Sequence, residues 1–140
     1  MRKFVLASVG AALLTAGTAQ AETLKLKLEG VQPRGGSVLV AVQSRDQYMM
    51  PAMVTGSVLG GDTNGDVVLS LPLPSGEYAV TVLHDADSNH DMTMGADGKP
   101  AEGWATVNLE ALRGPPLFDQ VKFVVDGDTD VTLAMAYPAY

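Results

Sequence analysis

Tyr78-Ala79-Val80-Thr81-Val82-Leu83-His84 is the stretch on which the fold turns. It is β-branched, aromatic and apolar on both faces. Only a strand covered from two sides tolerates that pattern, so this segment is placed at the centre of a sheet. Immediately after it the chain becomes acidic and polar: Asp85-Ala86-Asp87-Ser88-Asn89-His90-Asp91-Met92-Thr93.

Upstream, Val67-Val68-Leu69-Ser70-Leu71 reads as a strand that Pro72, Pro74 and Gly76 then stop. It follows Asp62-Thr63-Asn64-Gly65-Asp66, where Asn64-Gly65 predicts a hairpin turn from a short strand at Ser57-Val58-Leu59. Ser37 to Gln43 is another strand, apolar on both faces. Thr23-Leu24-Lys25-Leu26-Lys27-Leu28-Glu29 alternates strictly, the mark of a half-buried strand. Downstream, Trp104 to Asn108 reads as extended and Leu109 to Phe118 as irregular. Gln120–Val125 and Thr129–Tyr137 are expected to form a hairpin across Asp126-Gly127-Asp128. No 3.6-residue periodicity persists for three turns. The expected fold is all-β: a single immunoglobulin-like or prealbumin-like β-sandwich of about seven strands over residues 22–140.

Residues 1–21 are set apart from that domain. Arg2 and Lys3 precede an apolar run from Phe4 to Leu14, and Ala19-Gln20-Ala21 fits a cleavage site. These are the three parts of a secretory signal peptide, and the apolar run is too short to span a bilayer. The expectation is export to the periplasm or the exterior, with no membrane insertion. Loss of Arg2 and Lys3 would move the formal charge from −7 to −9. So acidic a chain lacks the basic footprint that nucleic acid requires, and cations are its natural small partners. There are no cysteines, which excludes thiol chemistry and disulfide staples.

The acidic loop carries the chemistry. Oxygen-bearing side chains recur at Asp85, Asp87, Asn89, Asp91 and Thr93. Calcium takes six to eight oxygens, and in the helix-loop-helix calcium loop they come from relative positions 1, 3, 5, 7 and 9 with a carboxylate at 12. Asp85, Asp87 and Asn89 fill positions 1, 3 and 5. His90 stands at position 6 in place of glycine, although histidine enters the left-handed region more readily than most residues. Ala96 at position 12 offers no carboxylate, so Asp97 or Glu102 would supply it from a chain that folds back. Asp91 stands at position 7, where the backbone carbonyl usually serves. The competing account is a solvated turn, since Asp, Asn and Ser are ordinary turn residues. Against it stand five carboxylates (Asp85, Asp87, Asp91, Asp97 and Glu102) with Lys99 as the single compensating charge. The metal ligands expected are therefore Asp85, Asp87, Asn89, Asp91, Asp97 and Glu102, holding Ca²⁺ weakly, with Kd on the order of 10⁻⁴–10⁻³ M as in extracellular modules.

Three linked blocks carry a resemblance. Gly76-Glu77-Tyr78-Ala79-Val80, His84-Asp85-Ala86-Asp87-Ser88-Asn89 and Gly98-Lys99-Pro100-Ala101-Glu102-Gly103-Trp104 resemble the bacterial family called domain of unknown function 2141. That family typically shows G-x-Y-A, then H-D-x-N-x-N-G, then G-x-P-x-E-G followed by an aromatic residue. Leu117–Phe123 and Val131–Tyr137 are also similar. The chain departs from the pattern at Asp87, often Asn, at His90, usually Gly, and at Thr93, commonly acidic. The resemblance implies a secreted β-sandwich and brings no established activity.

Other readings compete. Met49, Met50 and Met53 cluster, and His90-Asp91-Met92-Thr93-Met94 places imidazole beside thioethers, ligands that suit Cu(I). A periplasmic copper or methionine-rich metal-binding protein is the alternative; Met filling gaps under loops is its plain counterpart. A metal-free envelope interaction module is a further one. An enzyme is not expected: His84 and His90 are the only histidines, and no nucleophile elbow, His-Glu-x-x-His or phosphate loop is present. His84 is expected to be packed or hydrogen-bonded. Trp104 is read as either a core residue or part of a recognition surface.

Overall fold

The computed structural model describes residues 21–138; apart from Ala21, the expected leader lies outside them. Among the described residues, eight strands form two sheets. β1 (Glu22–Val31), β4 (Gly65–Leu73) and β8 (Thr129–Ala134) make a three-stranded sheet in the order β4-β1-β8. β2 (Ser37–Gln43), β3 (Thr55–Gly60), β5 (Gly76–Asp85) and β6 (Gly103–Thr106) run β3-β2-β5-β6, and β7 (Phe123–Val125) pairs with the start of β5. The chain is an all-β sandwich.

The alternation in β1 explains the inner face. Leu24, Leu26 and Leu28 are fully buried while Lys25 is exposed. They meet Val38, Val40, Val42, Val80 and Val82 of the facing sheet in one core. Each such side chain contributes about 1.5–3 kcal/mol through removal from water. β5 is central, as its composition demands. It pairs with β2 over Ala79–Asp85, with β6 over Thr81–His84 and with β7 over Gly76–Tyr78.

Both expected hairpins are corrected. β3 and β4 do not pair with each other, and neither do β7 and β8; each connection crosses from one sheet to the other. A turn dipeptide fixes a reversal, whereas facing apolar surfaces choose the partner. β8 joins β1 in parallel, with Val131 opposite Leu26 and Leu133 opposite Leu28, so apolar residues coincide on one face. The Asp128 side chain extends this pairing by accepting the Thr23 N–H at 3.1 Å.

The expected strand over Gln120–Val125 is also shortened. Phe118–Val121 is a single helical turn, closed by the Lys122 N–H on the Phe118 carbonyl. Gln120 reaches back to accept the Leu117 N–H at 2.9 Å. Phe118 and Val121, three residues apart, then face one way and pack with Ala79. Pro72 is accommodated within β4 because that strand is an edge, where a missing N–H is tolerated.

Candidate metal centre

β5 ends at two buried polar residues with opposite orientations. His84 continues the inward row of Val80 and Val82 and closes the core at that end. Its Nε2 lies 2.9 Å from the Gly35 carbonyl, which only accepts, so Nε2 carries the proton. Nδ1 then accepts from the Tyr137 hydroxyl at 2.7 Å, and that hydroxyl accepts the Gln32 N–H at 2.9 Å. Both imidazole nitrogens are engaged, so His84 offers no lone pair to a metal or a substrate.

Asp85 faces the other way and is covered by the loop that follows it. Its Oδ1 accepts the Asn89 N–H at 3.1 Å and its Oδ2 the His90 N–H at 2.9 Å. Glu102 returns from the far end of the loop. Its two oxygens accept the N–H groups of Ala86 and Thr93, each at 3.2 Å. Both carboxylates are buried, and together they form the axle around which residues 86–93 wind. The wrap needs left-handed backbone at Ser88 and His90, with φ of 59° and 62°. His90 thus takes up the turn that glycine makes at the sixth position of a calcium loop, at modest strain.

Asp87 completes the group from the exposed side. One oxygen atom each from Asp85, Asp87 and Glu102 lies within 4.8 Å of the others. Asp87 accepts the Asn89 N–H at 3.2 Å and the Thr93 hydroxyl at 3.1 Å. Desolvation pushes its carboxyl up, but the hydrogen bonds it accepts, those of the Thr93 hydroxyl and the Asn89 N–H among them, together outweigh that, and its net shift is downward. It stays ionised to lower pH than an ordinary aspartate.

The other expected ligands are placed differently. Asn89 borders the group, with its side-chain oxygen taken by the Asp91 N–H and its amide on Thr93 Oγ1. Asp91 turns to the Met92 N–H and Asp97 to the Lys99 N–H; neither joins the three-carboxylate group. Asp97 belongs to a separate small turn, closed by Gly95 and Lys99 and tied at its base by the Ala101 N–H on the Thr93 carbonyl. The His90 ring is exposed, Met94 is exposed and Met92 is half-buried.

Several residues that complete the site stand outside the expected ligand set, because they act through shape and packing. Gly36, at φ 66°, leaves no space for a Cβ because the Asp85 carbonyl oxygen lies against it. The Tyr137 ring lies on Gly103 in the same manner. Arg34 stacks over that ring, 4.7 Å from its centroid. The block Glu102-Gly103-Trp104 therefore does three things at adjacent positions. Glu102 anchors the loop, Gly103 seats Tyr137, and Trp104 bridges to Ala136 through paired backbone hydrogen bonds.

A family model described as uncharacterized proteins conserved in bacteria (DUF2141) matches residues 26–133. The chain belongs to this family. No curated protein and no solved structure matches it. The DUF2141 match spans every strand of the sandwich in whole or in part, as well as the loop. Among the described residues of this DUF2141 chain, no helix is long and apolar enough to cross a membrane.

Proposed function

We propose that this protein is an exported, non-enzymatic binding or structural module whose loop 85–102 is fixed by a divalent cation, most suitably Ca²⁺. The observation that carries the reading is the meeting of Asp85, Asp87 and Glu102, with oxygens within 4.8 Å of one another and two of the three side chains buried. Like charges at that separation repel, and a hard cation neutralises them. The backbone N–H groups on Asp85 and Glu102 do not compete with it, because each carboxylate oxygen has two lone-pair sites. Three carboxylates fall short of the six to eight oxygens Ca²⁺ prefers, and water would complete the shell. An affinity on the order of 10⁻⁴–10⁻³ M follows. In an oxidising compartment a cysteine-free chain gains stability from such a ligand by mass action.

The test is thermal unfolding with and without calcium. At a calcium concentration about ten times Kd, linkage gives about 1.4 kcal/mol and a rise of several degrees in Tm. Asp87→Asn is the informative variant, because Asp87 is exposed and holds only local contacts. The wild-type rise is expected to vanish in it. A rise of the same size in Asp87→Asn rejects the proposal.

A further inference from the structure

β3 is one edge of the larger sheet, β6 and β7 lying at the other, and no backbone hydrogen bond joins Thr55–Leu59 to any described segment except β2. Its outer N–H and C=O groups form an open ladder. Such edges are ordinarily blunted with charge, proline or a bulge. The edge strand β4 is blunted in this way: it carries Pro72 and Asp66, and Asp66 accepts the Gly30 N–H and pairs with Lys27. β3 reads Thr55-Gly56-Ser57-Val58-Leu59-Gly60, without a charge or a proline, in a chain of net charge −7. Val58 is 70% exposed. Its register places it opposite Leu39, which lies opposite Leu83, which lies opposite Trp104. An apolar row thus crosses the outer face and ends at the open edge. Met49 and Met53 flank it across an open groove of about 610 Å³.

We propose that β3 is the contact through which two copies of this chain associate, antiparallel about a two-fold axis that sets Val58 opposite the partner's Val58. Three features select a second copy. The ladder needs a strand, which a small ligand does not offer. β3 carries no carboxylate, so two acidic chains meet along it without opposing like charges, and at six residues it is longer than the uncharged strands β6 and β7 at the opposite edge. Pairing it with itself aligns Gly56 with the partner's Gly60, joins two apolar rows into one, and closes the assembly at two, as an isologous contact does. A six-residue edge is small beside the ≈800 Å² per partner of stable complexes, so association in the micromolar range or weaker is expected.

Sedimentation equilibrium from about 1 µM to about 1 mM reads this directly. The apparent mass is expected to double across that range. Val58→Lys, at an exposed position, is expected to remain monomeric with an unchanged melting temperature in dilute solution. Because the chain lacks cysteine, Val58→Cys is expected to form a disulfide-linked dimer under mild oxidation. Val68→Cys, comparably exposed at 56% on the blunted strand, serves as the collision control. The proposal is overturned by a monomer at every concentration, by growth beyond the dimer, or by cross-linking of Val58→Cys no faster than Val68→Cys.

Discussion

The Tyr137 hydroxyl lies 2.7 Å from Nδ1 of His84, joining the C-terminal segment to the end of the central strand. The same hydroxyl receives the Gln32 N–H, so one oxygen ties three separate parts of the chain beside the acidic loop. Tyr137→Phe removes both bonds and leaves a buried imidazole nitrogen without its donor. The expected cost is about 1–3 kcal/mol, read from chemical unfolding. Hydrogen exchange is expected to accelerate in residues 32–36 and not in β8.

The two close glycines give a sharper result. Gly36→Ala adds a Cβ in left-handed backbone against the Asp85 carbonyl, where backbone must move. The conformational term alone is about 1–2 kcal/mol. Gly103→Ala displaces the Tyr137 ring instead, and its damage is expected to overlap with that of Tyr137→Phe. A double-mutant cycle is expected to show strong non-additivity for the Gly103 and Tyr137 pair, with additive behaviour marking the two as independent.

Gln43 organises the methionine loop. It is buried, and the two protons of its side-chain NH2 are shared among the carbonyls of Gln47, Met50 and Ala52, which lie at 3.1, 2.8 and 2.7 Å. Gln43→Ala leaves those acceptors without their shared donor, at about 1–3 kcal/mol. Faster amide exchange confined to residues 44–54 checks it. An unaltered exchange pattern would show that the loop is held by other contacts.

Much of the fold was legible because periodicity reports burial. The alternation of β1 marked its inward leucines, and the doubly apolar β5 marked a central strand, although its outer face is only half covered at Thr81 and Leu83. What sequence did not show was which strands pair. Asn64-Gly65 and Asp126-Gly127 signal reversal, and either side of a reversal is free to cross to the other sheet. The helical turn at Phe118–Val121 was hidden because four residues are too few for a period. In the loop, oxygen spacing singled out Asp85 and Asp87, two of the three carboxylates that lie together. Glu102 appeared only as one of two candidates for a returning carboxylate, since a fold-back is a long-range event. Gly36, Gly103 and Tyr137 matter through shape, which no ligand pattern reports.

Stability is expected to fail at both ends of the pH scale for identifiable reasons. Burial raises the Tyr48 and Tyr137 hydroxyls above their ordinary value of 10.0. A raised folded-state value stabilises below the unfolded value and is lost as pH rises through the folded one, so the alkaline limb begins above about pH 10. Tyrosine absorbance and unfolding are expected to rise together there. In acid, the hydrogen bond from Arg45 holds Asp119 below its ordinary 3.8, against a smaller opposing contribution from desolvation. Asp87 is lowered as well. Their contributions are present above the unfolded value and lost as pH falls through the folded ones, below about pH 4. Asp119→Asn is expected to flatten the acid limb and leave the alkaline limb unchanged.

The cation reading is tested most directly by calorimetric titration of calcium into the wild type, Asp87→Asn and Asp97→Asn. The two substitutions remove the same charge from the same loop, but only Asp87 belongs to the group with Asp85 and Glu102. One site per chain is expected in the wild type, retained in Asp97→Asn and lost in Asp87→Asn. Equal weakening in both variants would reduce the effect to general electrostatic attraction, and no binding to the wild type at millimolar calcium would contradict the account outright.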